Sequence, residues 1–547
     1  DVTIPSNTEV RGLQPQTTIL GSMTAEGGGS GGYPTTLFTN SDTVGGNLNI
    51  KFTNINFDFA KGSFNYVSGA GLTEKAGLVF ENVDSLTFDN CTFYDYVTNL
   101  NTSTLINKQF GAIYLQDCNQ VRFRDIATQR IREEGINAWD CNNVSIENWT
   151  GNGTTVGTSS FGGFWYCEGL SIKNASFIHQ GGSALNCYSR NVVYDNIKVN
   201  VGLAPNGRGF DFGNEAGEKS FLTRNIEVRN CELNVVQYGI TFLRFEGDSD
   251  IVDNVRIANN TINVAEETGK TTISGILPSL VNRLQISSNT ITTIHTTAII
   301  DVGISVTGLD TVSLDSDLTI LNNDINSSNG IKLDMSSGTA GLGLVTIRDN
   351  TFAASAIGAL ASFSGAATFL YVRGTSSSGA YTIESINVLN NVANNCAGAF
   401  TNFTYDTVIG EIKTVRIEGN NATSDGTEME RQNAGFPTKL ATNTLFVSDN
   451  DILDSGTFKT TNVEHFVFKF NKLSHTTELA PRSIQIFGST AYVDVVDNRL
   501  FNVAGTNLTV DSDLLTPKMG NVVRNYAEKG DGTVFFSNGI TNTTLPN

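Results

Sequence analysis

A short pattern recurs along this chain and fixes what it can fold into: apolar–x–apolar–x–(Asn/Asp)–x–x–apolar. It begins with "IKFTNINF" at Ile50 and continues with "LTFDNCTF" at Leu86, "VRFRDIAT" at Val121, "VSIENWTG" at Val144, "LSIKNASF" at Leu170 and "VVYDNIKV" at Val192. Further copies start at Ile226, Val255, Leu284, Leu318, Val345, Ile386, Val415, Leu445, Phe466 and Val493. Period-two alternation marks each copy as a strand with its apolar side chains facing a core. The Asn or Asp suits a tight turn, because its side chain bonds nearby backbone and tolerates left-handed geometry. Asparagines repeated at one place inside the coil would also bond one another from copy to copy.

Close copies, such as Leu170 and Val192, leave room for two or three short strands and their turns, but for no crossover helix. Units that short bury their apolar faces only by stacking on their neighbours. The expected fold is therefore all-β, a right-handed parallel β-helix. Its body spans 1–500; the pattern fades beyond Phe501, so 501–547 reads as a cap or trimerisation segment. Stacking also accounts for 547 residues without several separate cores. The spacing of copies is uneven, so surplus residues must leave the coil as side loops, where function usually sits. The longest fall at 93–120, 200–225, 294–317 and 353–385.

A net charge of −19 and a pI near 4.7 argue against nucleic acid and against anionic membrane surfaces as partners. No run is apolar enough for membrane insertion. Seven cysteines without a CxxC pair and only four histidines give no disulfide framework, and neither metal nor cofactor is expected. The chain opens on Asp1 with a pattern already inside structure, so an upstream part missing from the sequence is expected.

A second strand precedes each repeat: "GAIYLQDC" to Cys118, "EGINAWDC" to Cys141, "GGFWYC" to Cys167 and "GSALNC" to Cys187. Aligned on the cysteines, these strands make Cys118, Cys141 and Cys167 one buried column. No histidine lies in register to activate a thiol there. Counting back in twos turns Leu115, Ala138 and Phe164 inward and Gln116, Trp139 and Trp165 outward. Two outward tryptophans on successive coils suit sugar rings, whose C–H faces stack on indoles. Asp117 and Asp140 share a position, with Tyr166 and Asn186 following, and Glu133 and Glu134 enter the same coil.

Farther on, "NGRGFDFGNEAGEKS" places Asp211 outward between Phe210 and Phe212, and "YGITFLRFEGDSD" adds Arg244, Glu246, Asp248 and Asp250. The first half thus carries a face of carboxylates, arginines and aromatics; the equivalent strands of the second half are Ser-, Thr- and Asn-rich. Glycoside hydrolysis needs two carboxyl groups about 5–5.5 Å apart for retention or roughly 6.5–9.5 Å for inversion. Neighbouring parallel strands lie about 4.8 Å apart, so one or two coils supply either spacing. The leading candidates are Asp211 with Glu246 or Asp248; Asp140 with Glu134 is the rival pair. Trp139, Trp165, Tyr166, Arg208, Arg244 and His179 are the expected substrate contacts. Elimination on a uronic acid is the alternative chemistry, with Arg208 or Arg244 neutralising the substrate and Tyr238, Tyr188 or His179 near as a base.

The opening "VTIPSNTEVRGLQPQTTILGS" and the repeats that follow resemble bacteriophage tailspikes and related depolymerases with a pectin-lyase-like β-helix. In these an apolar–x–Ile–Pro strand and a Val–Arg–Gly turn precede the stacked coils. The Asn-Thr-Asp, Asp-Asp and Gly-His-Gly motifs of polygalacturonases are absent. The resemblance implies a homotrimer on the virion tail, attached to the phage baseplate or head through an N-terminal part missing here. It also implies cleavage of a bacterial surface polysaccharide, O-antigen or capsule, by acidic residues on outward faces of neighbouring coils. A non-catalytic β-helix adhesin and a polyuronate epimerase are the other readings. An adhesin would show a plainer repeat with few exposed aromatics.

Overall fold

The computed structural model describes residues 2–13, 17–20, 37–58, 76–94, 111–129, 134–153, 160–178, 182–201, 207–214, 223–244 and 252–266 of a first compact unit, 1–268. In a second unit, 269–547, it describes 272–279, 281–294, 300–307, 317–335, 342–354, 368–374, 381–394, 396, 400–405, 410–423, 442–453, 458–461, 463–475, 482–487, 492–502, 506–510, 519–523 and 525–529. Every described strand pair in both units is parallel, and parallel crossovers favour right-handed winding.

The repeat copies stack on one another as the pattern requires. Ile50 pairs with Leu86 and Leu86 with Val121; Val144 pairs with Leu170, then Val192, Ile226 and Val255. In the second unit Leu284, Leu318, Val345, Ile386, Val415, Leu445, Phe466 and Val493 follow in one register. Val493 in turn pairs with Gly520. Strands Met519–Val523 and Tyr526–Lys529 therefore add a coil beyond Phe501, where a glycine replaces the apolar residue that would have marked it.

Each coil of the first unit has three strands and three parallel stacks. One stack runs through Ala76–Glu81, Gly111–Gln116, Glu134–Trp139, the starts of Ser160–Ile178 and Ser183–Asn200, Arg208–Asn214 and Tyr238–Arg244. Inward positions are filled by Ile113, Leu115, Ile136, Ala138, Phe164, Leu185, Phe210, Phe212, Ile240 and Phe242, all fully buried. The corners are left-handed: Asn54, Asn90, Asp117, Asp140, Asn143, Asn174, Asn196 and Asn230 all have positive φ. Asn and Asp tolerate that geometry best among residues with a side chain.

Two axial ladders hold coils in register. In the second unit Asn289, Asn323, Asn350, Asn391, Asn420, Asn450, Asn471 and Asn498 are buried one above another. Each donates its backbone N–H and its amide to the next Oδ1, as Asn350 does to Asn391 at 3.0 Å, and the last of them reaches Asn525. Each side chain from Asn323 on also donates to a main-chain carbonyl, Asn391 to Ile347 at 3.0 Å, so the buried column is satisfied throughout. In the first unit Asp89, Arg124, Glu147, Lys173, Asp195 and Arg229 alternate in sign on successive coils. Arg124 pairs with Asp89 at 2.6 Å and Arg229 with Asp195 at 3.1 Å. These groups are part-exposed, so each pair adds little alone.

Candidate functional site

The outward side of the first stack is read directly from strand register. One row runs Tyr114, Asn137, Gly163, Asn186, Asp211, Thr241. A parallel row runs Gln116, Trp139, Trp165, Tyr188. Core side chains on either side of each residue, Phe210 and Phe212 around Asp211 for example, fix which way it points.

Asp211 is almost enclosed, with 13% of its side chain exposed. Thr241 Oγ1 donates to its Oδ1 at 2.9 Å, and Ser183 Oγ donates to Oδ2 at 3.5 Å. Arg208 Nη1 stands 3.9 Å from Oδ2, while its Nε donates to Gln237 Oε1 at 3.1 Å and its guanidinium lies 5.4 Å from the Tyr238 ring centre. Burial pushes the Asp211 carboxyl up to about 6; the Thr241 bond, the Arg208 charge and the Ser183 bond pull it the other way. Desolvation wins because the charged form loses more water than these partners return.

Glu134 is buried, and its carboxyl group occupies the space where a Cβ on Gly163 would stand. A glycine at that place in "FGGFWYC" leaves room for a carboxylate from the coil before. Gly163 is two register steps from Asp211, with Asn186 between them. Two steps of parallel strand amount to about 9.6 Å. The structure thus brings Glu134 together with Asp211, a pairing that sequence reasoning did not make. It does not bring Glu134 together with Asp140. These lie at opposite ends of one extended segment, roughly 20 Å apart along it at the usual rise per residue. Asp140 sits in the left-handed corner beyond Trp139, where its backbone N–H donates to Trp165 at 2.9 Å.

The tryptophans are adjacent, as the alignment requires, but their ring faces are not open. Trp139 stacks on Trp165 at 5.3 Å and Trp165 on Tyr188 at 4.5 Å, so Trp165 is covered on both faces. Tyr166 is buried at the corner, 5.9 Å from Trp139. Trp139 and Trp165 therefore offer half-buried ring edges beside the carboxylate row, and Trp139 its outer face toward Gln116, while Tyr188 is buried beneath them. The three aligned cysteines are buried; desolvation holds the Cys141 thiol far above its ordinary range, while a hydrogen bond with Cys141 lowers that of Cys118.

The register corrects one alignment. Cys187 pairs with Phe164, so it stands where Ala138 and Leu115 stand and outside the cysteine column. The coil after Trp165 is irregular: Tyr166 and Cys167 face a shorter corner at Ser189, whose Oγ accepts the Cys167 N–H at 3.1 Å. Asn186 is thereby moved off the Asp117/Asp140 position and into the row of Asp211. Arg244 pairs with Asn214 at the end of its strand. His179, Glu246 and Asp248, with Glu133, Glu215, Glu218 and Asp250, lie outside the described residues. Among the described residues no cluster of three metal-ligating side chains occurs, and no helix is long and apolar enough to cross a membrane. Ser183, Thr241, Gln237 and Gly163 carried no signal in the sequence, since each matters only through its neighbours on other coils.

No protein-family model matches the chain, and no curated protein matches it. Among solved structures it is similar to the tailspike of Pseudomonas phage phi297, at 11% identity and a TM-score of 0.28, over 74% of this chain and 48% of that one. The chain therefore spans about half of that tailspike. It is also similar to the tailspike of E. coli bacteriophage HK620 in complex with a pentasaccharide, at 11% identity and a TM-score of 0.36, over 96% of this chain and 73% of that one. A third is PfbA, a surface adhesin of Streptococcus pneumoniae, at 10% identity and a TM-score of 0.31, over 91% of each chain. The fold assignment rests on the chain's own parallel strand pairing.

Proposed function

We propose that this protein is an endo-acting depolymerase of a bacterial surface polysaccharide that hydrolyses glycosidic bonds with Asp211 and Glu134. One observation carries the reading: an enclosed carboxyl held up to about 6 stands two register steps from Gly163, over which a second carboxyl, that of Glu134, lies. In this reading protonated Asp211 gives its proton to the leaving glycosidic oxygen as the C–O bond breaks. Glu134 takes a proton from the water that attacks the anomeric carbon from the opposite face. A backbone spacing of about 9.6 Å between the Gly163 and Asp211 strands, close to the upper end of the carboxyl separations that accommodate a water, favours inversion. The Trp139 and Trp165 edges would bind neighbouring sugars.

The resemblance of the opening coil to tailspikes supports O-antigen or capsule as the substrate, a homotrimer, a place on the virion tail and attachment to the phage through an upstream part. Elimination on a uronic acid is the second reading, favoured by the Arg208 guanidinium over the Tyr238 ring beside Asp211. In that case Arg208 neutralises the uronate and Tyr238 takes the proton. Incubation with purified surface polysaccharides, followed by product mass and absorbance near 235 nm, separates the readings. Shorter chains without new absorbance mean hydrolysis and shorter chains with it mean elimination. Binding without cleavage means an adhesin.

A further inference from the structure

Asn186 lies in the outward row between Gly163, over which the Glu134 carboxyl sits, and Asp211. Its neighbours Leu185 and Cys187 are fully buried, while Asn186 is half-exposed. Corner asparagines are tied into ladders, as Asn196 is to Asn174 at 2.8 Å and Asn225 to Asn191 at 2.7 Å. The Asn186 amide makes no such bond. A half-buried side chain with two donors and an acceptor thus stands between the Glu134 carboxyl over Gly163 and the Asp211 carboxyl. Structural demand does not account for an amide there, because an outward strand position tolerates most residues.

We infer that Asn186 is a substrate-contacting residue, binding a hydroxyl or acetamido group of the sugar held between the Glu134 and Asp211 carboxyls. An amide suits this place because it can donate and accept at once without adding a third charge. A carboxylate there would raise the proton affinity of both neighbours, and an alanine would leave the sugar's polar group unmatched. Gly163 serves the same arrangement as a positioning residue: its missing side chain lets the Glu134 carboxyl lie in the row beside Asn186. The inference rests on the hydrolase reading and sharpens it by naming what holds the reacting sugar.

The test uses a polysaccharide that the wild type cleaves, and oligosaccharides released from it. Asn186→Ala should keep the wild-type melting temperature and lower kcat/KM by about tenfold to a hundredfold, the usual loss for an unmatched substrate group. Asn186→Asp should move the acidic limb of the pH–rate profile upward, which reports that position 186 lies electrostatically close to the two carboxyls. In the Asp211→Asn background, adding Asn186→Ala should weaken oligosaccharide binding about tenfold. The inference is overturned if Asn186→Ala stays within twofold in both cleavage and binding while Asp211→Asn abolishes cleavage. If cleavage instead survives both Asp211→Asn and Glu134→Gln, the hydrolase reading itself falls and this inference with it.

Discussion

Thr241 donates a hydrogen bond of 2.9 Å to the Oδ1 of Asp211 from the adjacent coil. It holds the carboxyl in an enclosed outward position that burial makes unfavourable for a charge. In the proposed hydrolase that balance would supply the acid, and it should be visible in stability before any substrate is known.

The sign follows from the shift. Asp211 binds its proton more tightly folded, at about 6, than its ordinary value of 3.8 allows unfolded. Its cost is absent below about pH 4, grows through the window between the two values, and is complete above about pH 6. The shift corresponds to roughly 3 kcal/mol at neutral pH. Asp211→Asn should therefore melt higher than wild type at pH 8, with the gap closing at pH 4. Equal melting temperatures at both pH values would show that the carboxyl is not held up by burial.

The buried asparagine ladder makes a contrasting prediction. Asn391→Ala removes the acceptor that Asn350 uses twice and a donor to the Ile347 carbonyl. Buried polar groups left without partners should cost about 2–4 kcal/mol, read as a lower midpoint of urea unfolding. Asp89→Asn in the part-exposed charge column should cost under about 1 kcal/mol.

How much of this was legible in the sequence depends on whether a feature repeats. The copies from Ile50 to Val493 showed the fold because each repeats one constraint, and their strand pairing follows the same register. The last coil escaped notice because Gly520 stands where Val or Leu was expected. Asp211 was legible from its flanking phenylalanines. Its pairing with Glu134 was not, since it depends on the space over Gly163 and on a corner one residue shorter at Ser189. Counting in twos also made Trp139 and Trp165 open platforms, but could not foresee that Tyr188 would cover the second face of Trp165.

The aromatic strip has its own test. Trp165 sits between Trp139 and Tyr188, so Trp165→Ala removes two stacking contacts together with a ring edge. Oligosaccharide affinity should fall by at least about tenfold, measured by calorimetry. An unchanged affinity would place the sugar elsewhere on the face.

Spacing sets the stereochemistry. With the Glu134 carboxyl over Gly163, two register steps from Asp211, the first product detected by proton NMR should carry the anomeric configuration opposite to that of the bond cut. Retention would require carboxyls about one coil apart, and so a partner for Asp211 other than Glu134.

The most direct test of the account is the rate of reducing-end release by Glu134→Gln on a polysaccharide that the wild type cleaves, with the melting temperature as a control for folding. Glu134 fills the place beside Gly163 two coils from Asp211, and as the base it should be worth at least about a hundredfold to a ten-thousandfold. A fall of that size in a folded protein is the predicted result. A folded variant that cleaves within tenfold of wild type would contradict the pairing of Glu134 with Asp211.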